Sequence, residues 1–409
     1  MCSRTRRITT VGRASPRAIR QARVTSVALC AARALSLTDI PCCLTDRGLA
    51  DCAHRVCAVF PKPAETSSAP LSSSRPRTAL ITGAAGQDGI LLAEFLVEQG
   101  YAVWGLVRAG SERIALLQRR VPTIQLLHGD VRARDVLVDA VRTADPDEVY
   151  NLAAFSSVGR SWSHVHEVME INALAVVTLL EELRTRQDAT GQRVRFYQAS
   201  SSEMFGTPAV SPQTEETAFH PRSPYGVAKS AAHLLTMNYR ESYDMFACSG
   251  ILYNHESPLR QPHFVTRKIT AGVAAVAQGR ADRLELGTLE VARDWGWAPD
   301  YVRAMWLMLQ HDVPGDYVVA SGRNRTLRDF LSAAFACVGI DDWSGLVVSD
   351  EGLTRPAEVV GLVGDPTKAR KVLGWESTMP FEEIVARMVR HDLEVQLGVG
   401  SPPPAGQVQ

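Results

Sequence analysis

"TALITGAAGQDGILLAEFLVEQGYAVWGLVR", residues 78 to 108, runs from an apolar strand through a glycine loop into an amphipathic helix, then out along a second apolar strand ending near Val107. That is one βαβ unit. Gly83, Gly86 and Gly89 stand three apart at the strand-to-helix turn. The missing side chains let the backbone approach a pyrophosphate, and the helix N-terminus offers N–H groups and the positive end of its dipole. Glycines at this spacing also make tight turns with no ligand. The context, after a first strand and at the mouth of an amphipathic helix, selects nucleotide binding. At the end of the second strand stands Arg108. An acid there would bind the 2′-hydroxyl of NAD, whereas an arginine accepts the 2′-phosphate of NADP.

The alternation continues downstream. "TIQLLHGDV" (123 to 131) predicts a third strand bringing Asp130 toward an adenine edge. "DEVYNLAAF" (147 to 155) predicts a fourth, with Ala153 and Ala154 small enough for a cofactor to lie close to the backbone. "VHEVMEINALAVVTLLEELR" (165 to 184) has helical apolar spacing, and "RVRFYQAS" (193 to 200) predicts a fifth strand. Strands alternating with helices imply an α/β fold with a doubly wound parallel sheet and chemistry at its carboxyl edge.

The chain has 409 residues, 45% of them hydrophobic, enough for one large α/β domain with an appended lobe. Its formal net charge of zero hides an imbalance: residues 1 to 77 hold 13 Lys and Arg against 4 Asp and Glu, leaving 31 basic and 40 acidic residues in the body. An acidic body argues against nucleic acid as a partner. Of the eight cysteines only Cys248 and Cys337 belong to the body, which suits a reducing, cytoplasmic setting; no zinc-like pairing, and hence no metal site, is expected. The Arg- and Ser-rich opening has no apolar run of signal-peptide or membrane-span length, and no membrane association is expected. Residues 1 to 77 read as a disordered or mis-extended leader, a targeting segment or an interaction arm. If mis-extended, the lack of methionine between Met1 and Met169 calls for a start at a codon such as Val59.

After "FYQASSSEMFG" (196 to 206), with Ser201 and Glu203, comes "HPRSPYGVAKSAAHLLTMNYRESY" (220 to 243), a helix whose start carries Tyr225 and Lys229. Four residues apart, they share one helical face. A lysine ammonium beside a phenol and a nicotinamide stabilises the phenolate, so the tyrosine can take a proton from a hydroxyl near neutral pH. A solvated lysine one turn from a packed tyrosine is commonplace. With a glycine loop upstream and a serine-bearing strand end between, the pair reads as catalytic.

The order TGxxGxxG, serine-bearing strand end and YxxxK resembles that of the extended short-chain dehydrogenase/reductases. The longer runs "ALITGAAGQDG", "FYQASSSEMFG", "SPYGVAKSAAH", "NYRESYDMFACSGILYNHESPLR", "FVTRKI", "RDWGWAPDYVRAMWLMLQ" and "RPAEV" resemble the GDP-mannose 4,6-dehydratase family over roughly residues 78 to 395. The resemblance implies a lyase that uses NADP and recycles it within each turnover. Tyr225 takes the C4 hydroxyl proton, Glu203 removes the C5 proton and assists loss of the C6 hydroxyl, Ser201 bonds the C4 oxygen, and Lys229 supports Tyr225. The dTDP-glucose branch carries an aspartate immediately before the glutamate; Ser202 stands here and favours the GDP-mannose branch. Cofactor contacts would come from Gly83, Gly86, Gln87, Asp88, Gly89, Arg108, Asp130, Val131, Leu152, Ala153, Ala154, Ser156, Tyr225, Lys229, His255 and Arg260. Asn254, Lys268, Arg293, Arg355 and Glu358 would hold the nucleotide diphosphate sugar. Implied boundaries are the leader 1 to 77, an NADP-binding Rossmann part at 78 to 250, a substrate lobe interleaved with it at 251 to 395, and a flexible tail at 396 to 409. A homo-oligomer, dimer or tetramer, is also implied.

The chain departs from the family pattern at several places. "RAGSERIALLQ" is short where relatives carry a longer Ser-rich loop, and Phe155, Ser157, Glu167, Leu259 and Trp297 replace residues common among them. None is a proton-transfer residue. Another nucleotide-sugar dehydratase, an epimerase, a 4-keto reductase and an inactive NADP-binding regulator share the fold. Glu203 discriminates, because an epimerase or reductase needs no base at C5.

Overall fold

The computed structural model describes residues 75–350 and 361–398. Arg355 and Glu358 lie outside the described residues, as do most of the leader and of the tail. The first six strands in chain order are β1 (Thr78–Thr82), which leads into the glycine motif, β2 (Ala102–Val107), β3 (Gln125–His128), β4 (Glu148–Asn151), β5 (Arg195–Ser201) and β6 (Ala247–Leu252). After them come β7 (Asn254–Glu256), β8 (Leu284–Leu286), β9 (Ala292–Trp297), β10 (Asp316–Val319), β11 (Asn324–Thr326), β12 (Val347–Ser349) and β13 (Gly361–Leu362). One seven-stranded parallel sheet has the order β10-β6-β5-β4-β1-β2-β3. The expected doubly wound sheet is present.

Period-two side-chain alternation explains the two layers of helices. Ala79 and Ile81 of β1, Tyr150 of β4 and Tyr197 of β5 face a core packed by the helices Gln87–Glu98 and Ala298–Gln310. Their sequence neighbours Leu80, Val149 and Phe196 face the opposite core, against Arg134–Ala144, Ala175–Thr190 and Pro224–Tyr243. With both faces covered the strands read as continuous apolar runs. Truncating the fully buried Leu80 to alanine is expected to cost about 2–5 kcal/mol.

The long helix expected over 165 to 184 is broken into Val165–Met169, a π turn at Glu170–Leu174, and Ala175–Thr190. Asn172 in that turn accepts from the Phe155 backbone N–H at 2.8 Å and donates to the Phe155 carbonyl at 3.1 Å, tying the turn to the loop after β4. Apolar periodicity cannot register such a bulge, because it inserts one residue without changing composition.

The C-terminal half makes a second set of strands. β9 pairs with β7 and β13 in parallel and with β11 antiparallel, while β8 pairs with β12. The helices Val265–Ala277, Leu327–Ala336 and Phe381–Gln396 close a separate apolar cluster around Trp295 and Phe330. β10, although late in the chain, returns to the edge of the main sheet. None of the described helices is long and apolar enough to cross a membrane.

Candidate active site

Parallel strands end on one edge, and that edge is held by a buried polar ladder. Thr82 donates to Asn151 at 2.6 Å, Asn151 donates to Gln198 at 2.8 Å, and Gln198 donates to the Ala199 carbonyl at 3.0 Å. The same carbonyl accepts from the Lys229 ammonium at 2.8 Å. Three strand ends and the helix Pro224–Tyr243 are thereby locked together. Buried polar groups that satisfy one another in this way rigidify a site.

Ser201 closes β5, and its hydroxyl accepts from the Glu203 N–H at 3.3 Å, turning the chain into the short 3₁₀ turn that carries Glu203. The helix Pro224–Tyr243 starts beside it, with Ser223 as N-cap accepting from Gly226 N–H at 3.1 Å and Pro224 in the first turn. Gly226 permits this approach: a Cβ there would lie 2.6 Å from the Glu203 carbonyl oxygen. Tyr225 and Lys229 follow on one face, the ammonium 5.9 Å from the phenol centroid.

A cavity of about 430 Å³ opens over these groups. Ser201, Glu203, Tyr225 and Lys229 all line it, as do the sequence candidates Asp88, Leu152, Ala154, Ser156, Asn254, His255, Arg260, Lys268 and Arg293. Burial pushes the Tyr225 phenol up to about 12, opposed by a hydrogen bond from Ser201, and pulls the Lys229 ammonium down to about 8. The order is consequential. On its own the lysine sheds its proton before the phenol does, so a phenolate near neutral pH requires a second positive charge beside it.

The glycine turn fits a dinucleotide. Gly83 has φ +70°, and a Cβ on Gly89 would lie 2.5 Å from the Gly83 carbonyl oxygen, so the helix sits tightly on the turn. Gly86 is the N-cap with extended backbone and no side-chain cap, and around it an added Cβ would meet only the Gly83 oxygen, at 3.1 Å. That opening, beside the N–H groups of a twelve-residue helix, suits a pyrophosphate. Arg108 is exposed at the end of β2, close enough to Asp130 to depress its carboxyl together with the stronger Arg132 hydrogen bonds.

Some candidate side chains are engaged elsewhere. Gln87 donates to Asp88 and to the His255 carbonyl and accepts from Ser257 at 2.8 Å. Both Asp130 oxygens face Arg132, and Val131 packs on the core beneath β3. Gly83, Gly86, Gln87, Gly89, Arg108, Asp130, Val131 and Ala153 lie on the sheet edge or glycine turn, outside the cavity lining. His255 places Nε2 2.9 Å from Asp88 and Nδ1 2.7 Å from the Tyr253 carbonyl, and stacks on Tyr301. Burial opposes a charge on this ring, but the Asp88 carboxylate outweighs it and holds the imidazole above its usual range.

The departures fall into place physically. Phe155 packs on His164 under Arg160, Glu167 faces Arg132, and Leu259 and Trp297 line a separate cleft between the helices Gln87–Glu98 and Phe381–Gln396. Sequence reading missed Glu256, Thr266 and Trp295, all of them on the cavity wall. Glu256 stood in the quoted run "NHESPLR", between two chosen residues. Among the described residues no cluster of His, Cys, Asp and Glu could hold a metal ion.

Residues 80–388 match the family model described as GDP-mannose 4,6 dehydratase. The chain belongs to that family. It is 45% identical over 331 residues to GDP-mannose 4,6 dehydratase 1 of Arabidopsis thaliana, covering 78% of this chain and 91% of the relative. A GDP-mannose 4,6-dehydratase of Yersinia enterocolitica is 43% identical over 78% of this chain and 94% of its own. Among solved structures, a Thermus thermophilus UDP-glucose 4-epimerase in complex with NAD superposes with a TM-score of 0.67 at 26% identity, covering 77% of this chain and 98% of that one. The family's fold is thus shared with epimerases, so the activity has to be read from the site.

Proposed function

We propose that the protein converts GDP-mannose to GDP-4-keto-6-deoxy-mannose and water, acting as a sugar-nucleotide 4,6-hydro-lyase. The observation that carries this is the placement of Glu203 one turn beyond Ser201 and beside Tyr225, on the wall of a single cavity. NADP, when bound, supplies an acceptor for the C4 hydride and a donor for the same hydride at C6, so it leaves each turnover as it entered.

Tyr225 takes the O4 proton, and Ser201 hydrogen-bonds the same oxygen. The Lys229 ammonium, held by the Ala199 carbonyl, supports the phenolate. A ketone at C4 acidifies the hydrogen on C5, which Glu203 removes before assisting departure of the C6 hydroxyl as water. The cofactor would lie on Gly83, Gly86 and Gly89, with Arg108 at its 2′-phosphate and His255 and Arg260 toward its other charged groups. Asn254, Lys268 and Arg293 line the lobe side of the cavity, where a nucleotide diphosphate brings two negative phosphates, and Arg355 and Glu358 complete the proposed set. The part before residue 250 would thus serve mainly the cofactor and the part after it mainly the substrate.

Incubation with GDP-mannose in deuterated water tests the reading. The product should carry deuterium at C5 and a methyl group at C6, and Glu203→Gln should dehydrate about 10²–10⁴-fold more slowly. A dehydrated sugar unlabelled at C5 would sink the solvent-exchanging base.

We further infer a homo-oligomer. Leu174, Val227 and Leu234 stand exposed on the π turn and the Pro224–Tyr243 helix, which pack against each other. Light scattering that returns a monomer for the wild type, unchanged in Leu234→Glu, would refute it. A cytoplasmic location is proposed from two free cysteines in the described body, Cys248 buried and Cys337 exposed. Cell fractionation decides that.

A further inference from the structure

Glu256 is 0% exposed, and its Oε1 has no hydrogen-bond partner. Burying a carboxylate is unfavourable unless it is paired with a cation and hydrogen-bonded. Its other oxygen, Oε2, accepts from Thr266 at 2.7 Å and lies 3.2 Å from the Arg260 Nε. The guanidinium of Arg260 also lies over the Phe264 ring, 3.6 Å from its centroid. Glu256 and Phe264 thus flank the cation on one edge and one face, an ion pair and a ring contact in which Nε itself makes no hydrogen bond, and its terminal nitrogens make none among the described residues. Both residues line the cavity next to the glycine turn.

A second carboxylate, Asp88, stands close enough to feel Arg260 and already receives His255. Without Glu256, Asp88 would remain as an anion within electrostatic reach of Arg260, in competition with His255. We infer that Glu256 is a positioning residue, which draws the Nε edge of Arg260 away from Asp88 and leaves the terminal nitrogens facing a phosphate of the dinucleotide. This rests on the reading of Arg260 as a cofactor contact and assigns a device that makes that contact selective.

The test compares the full-length wild type with Glu256→Gln, Arg260→Gln and the double variant, each stripped of cofactor and titrated with NADP+ by calorimetry. Thermal melting without cofactor is recorded in parallel. Glu256→Gln should weaken NADP+ binding about tenfold and lower the melting temperature as well, since it leaves the Arg260 charge without its buried partner. The double variant should bind no more weakly than Arg260→Gln alone, because Glu256 acts only through Arg260. Thr266→Val, which releases Glu256 without touching a charge, should weaken binding about threefold and covers the case of a misfolded Glu256→Gln.

Equal losses that multiply in the double variant would overturn the inference, as would wild-type affinity in Glu256→Gln beside a weakened Arg260→Gln. Wild-type affinity in Arg260→Gln would instead overturn the cofactor contact itself, and the inference with it. A lower melting temperature with unchanged affinity would mark Glu256 as merely structural.

Discussion

Replacing Lys229 with methionine removes a positive charge beside Tyr225 while keeping most of the stem that fills its buried slot. With the 5.9 Å between the ammonium and the phenol centroid and an effective dielectric constant of about 20, the charge favours phenolate by about 3 kcal/mol. That is about two pH units. Activity rises with pH as the phenol loses its proton, so wherever Lys229 is still charged, below about pH 8, losing the ammonium moves this limb upward by about two units. At a fixed pH below it the rate should fall about 100-fold. The assay follows water loss from GDP-mannose by mass spectrometry from pH 6 to 10, on protein whose bound NADP has been quantified. The Ala199 carbonyl keeps its Gln198 donor but loses a charge-assisted bond, at a cost of about 1.5–3 kcal/mol of stability, so melting must be measured as well. If Lys229→Met retains its cofactor and its pH profile overlays that of the wild type, the electrostatic role of Lys229 is wrong.

Three further outcomes are expected. Burial disfavours the Asp88 charge, but His255 outweighs it and lowers the carboxyl from 3.8 to about 2; the resulting stability, about 2 kcal/mol, is present above pH 4 and lost as pH falls through about 2. The stability gap between wild type and Asp88→Asn in acid titrations should therefore close over that window, and a constant gap contradicts it. Gly86→Ala should keep the melting temperature within a few degrees yet weaken NADP binding at least tenfold, whereas Gly83→Ala, with φ +70° and a Cβ 2.8 Å from the Ala153 backbone, should lose about 1–3 kcal/mol of stability. Calorimetry and thermal melting separate the two effects. Arg108→Ala should weaken NADP by roughly ten- to a hundredfold and leave NAD unchanged, and equal losses for both dinucleotides would remove the 2′-phosphate contact.

The local order of the chain carried much of the fold. A strand buried on both faces must be apolar at every position, a helix lying on it must be apolar along one stripe, and a turn that admits a pyrophosphate must lack side chains; each condition is written in consecutive residues between 78 and 252. Ser201, Glu203, Tyr225 and Lys229 were legible for the same reason, since one strand end and one helical turn hold all four. The place of Arg108 was legible too, at the end of an apolar strand.

Contacts between distant segments were not legible. Gln87 meets Ser257 and His255 across about 170 positions. β10 rejoins the main sheet from the far end of the lobe, and the π turn at Glu170 depends on the loop it must hold. Glu256 shows the division most clearly. As a letter it is one more acid in a loop, and only folding buries it and gives it the Arg260 guanidinium as its cation. Burial and charge pairing depend on what surrounds a side chain in three dimensions, whereas periodicity and turn chemistry depend on its neighbours along the chain.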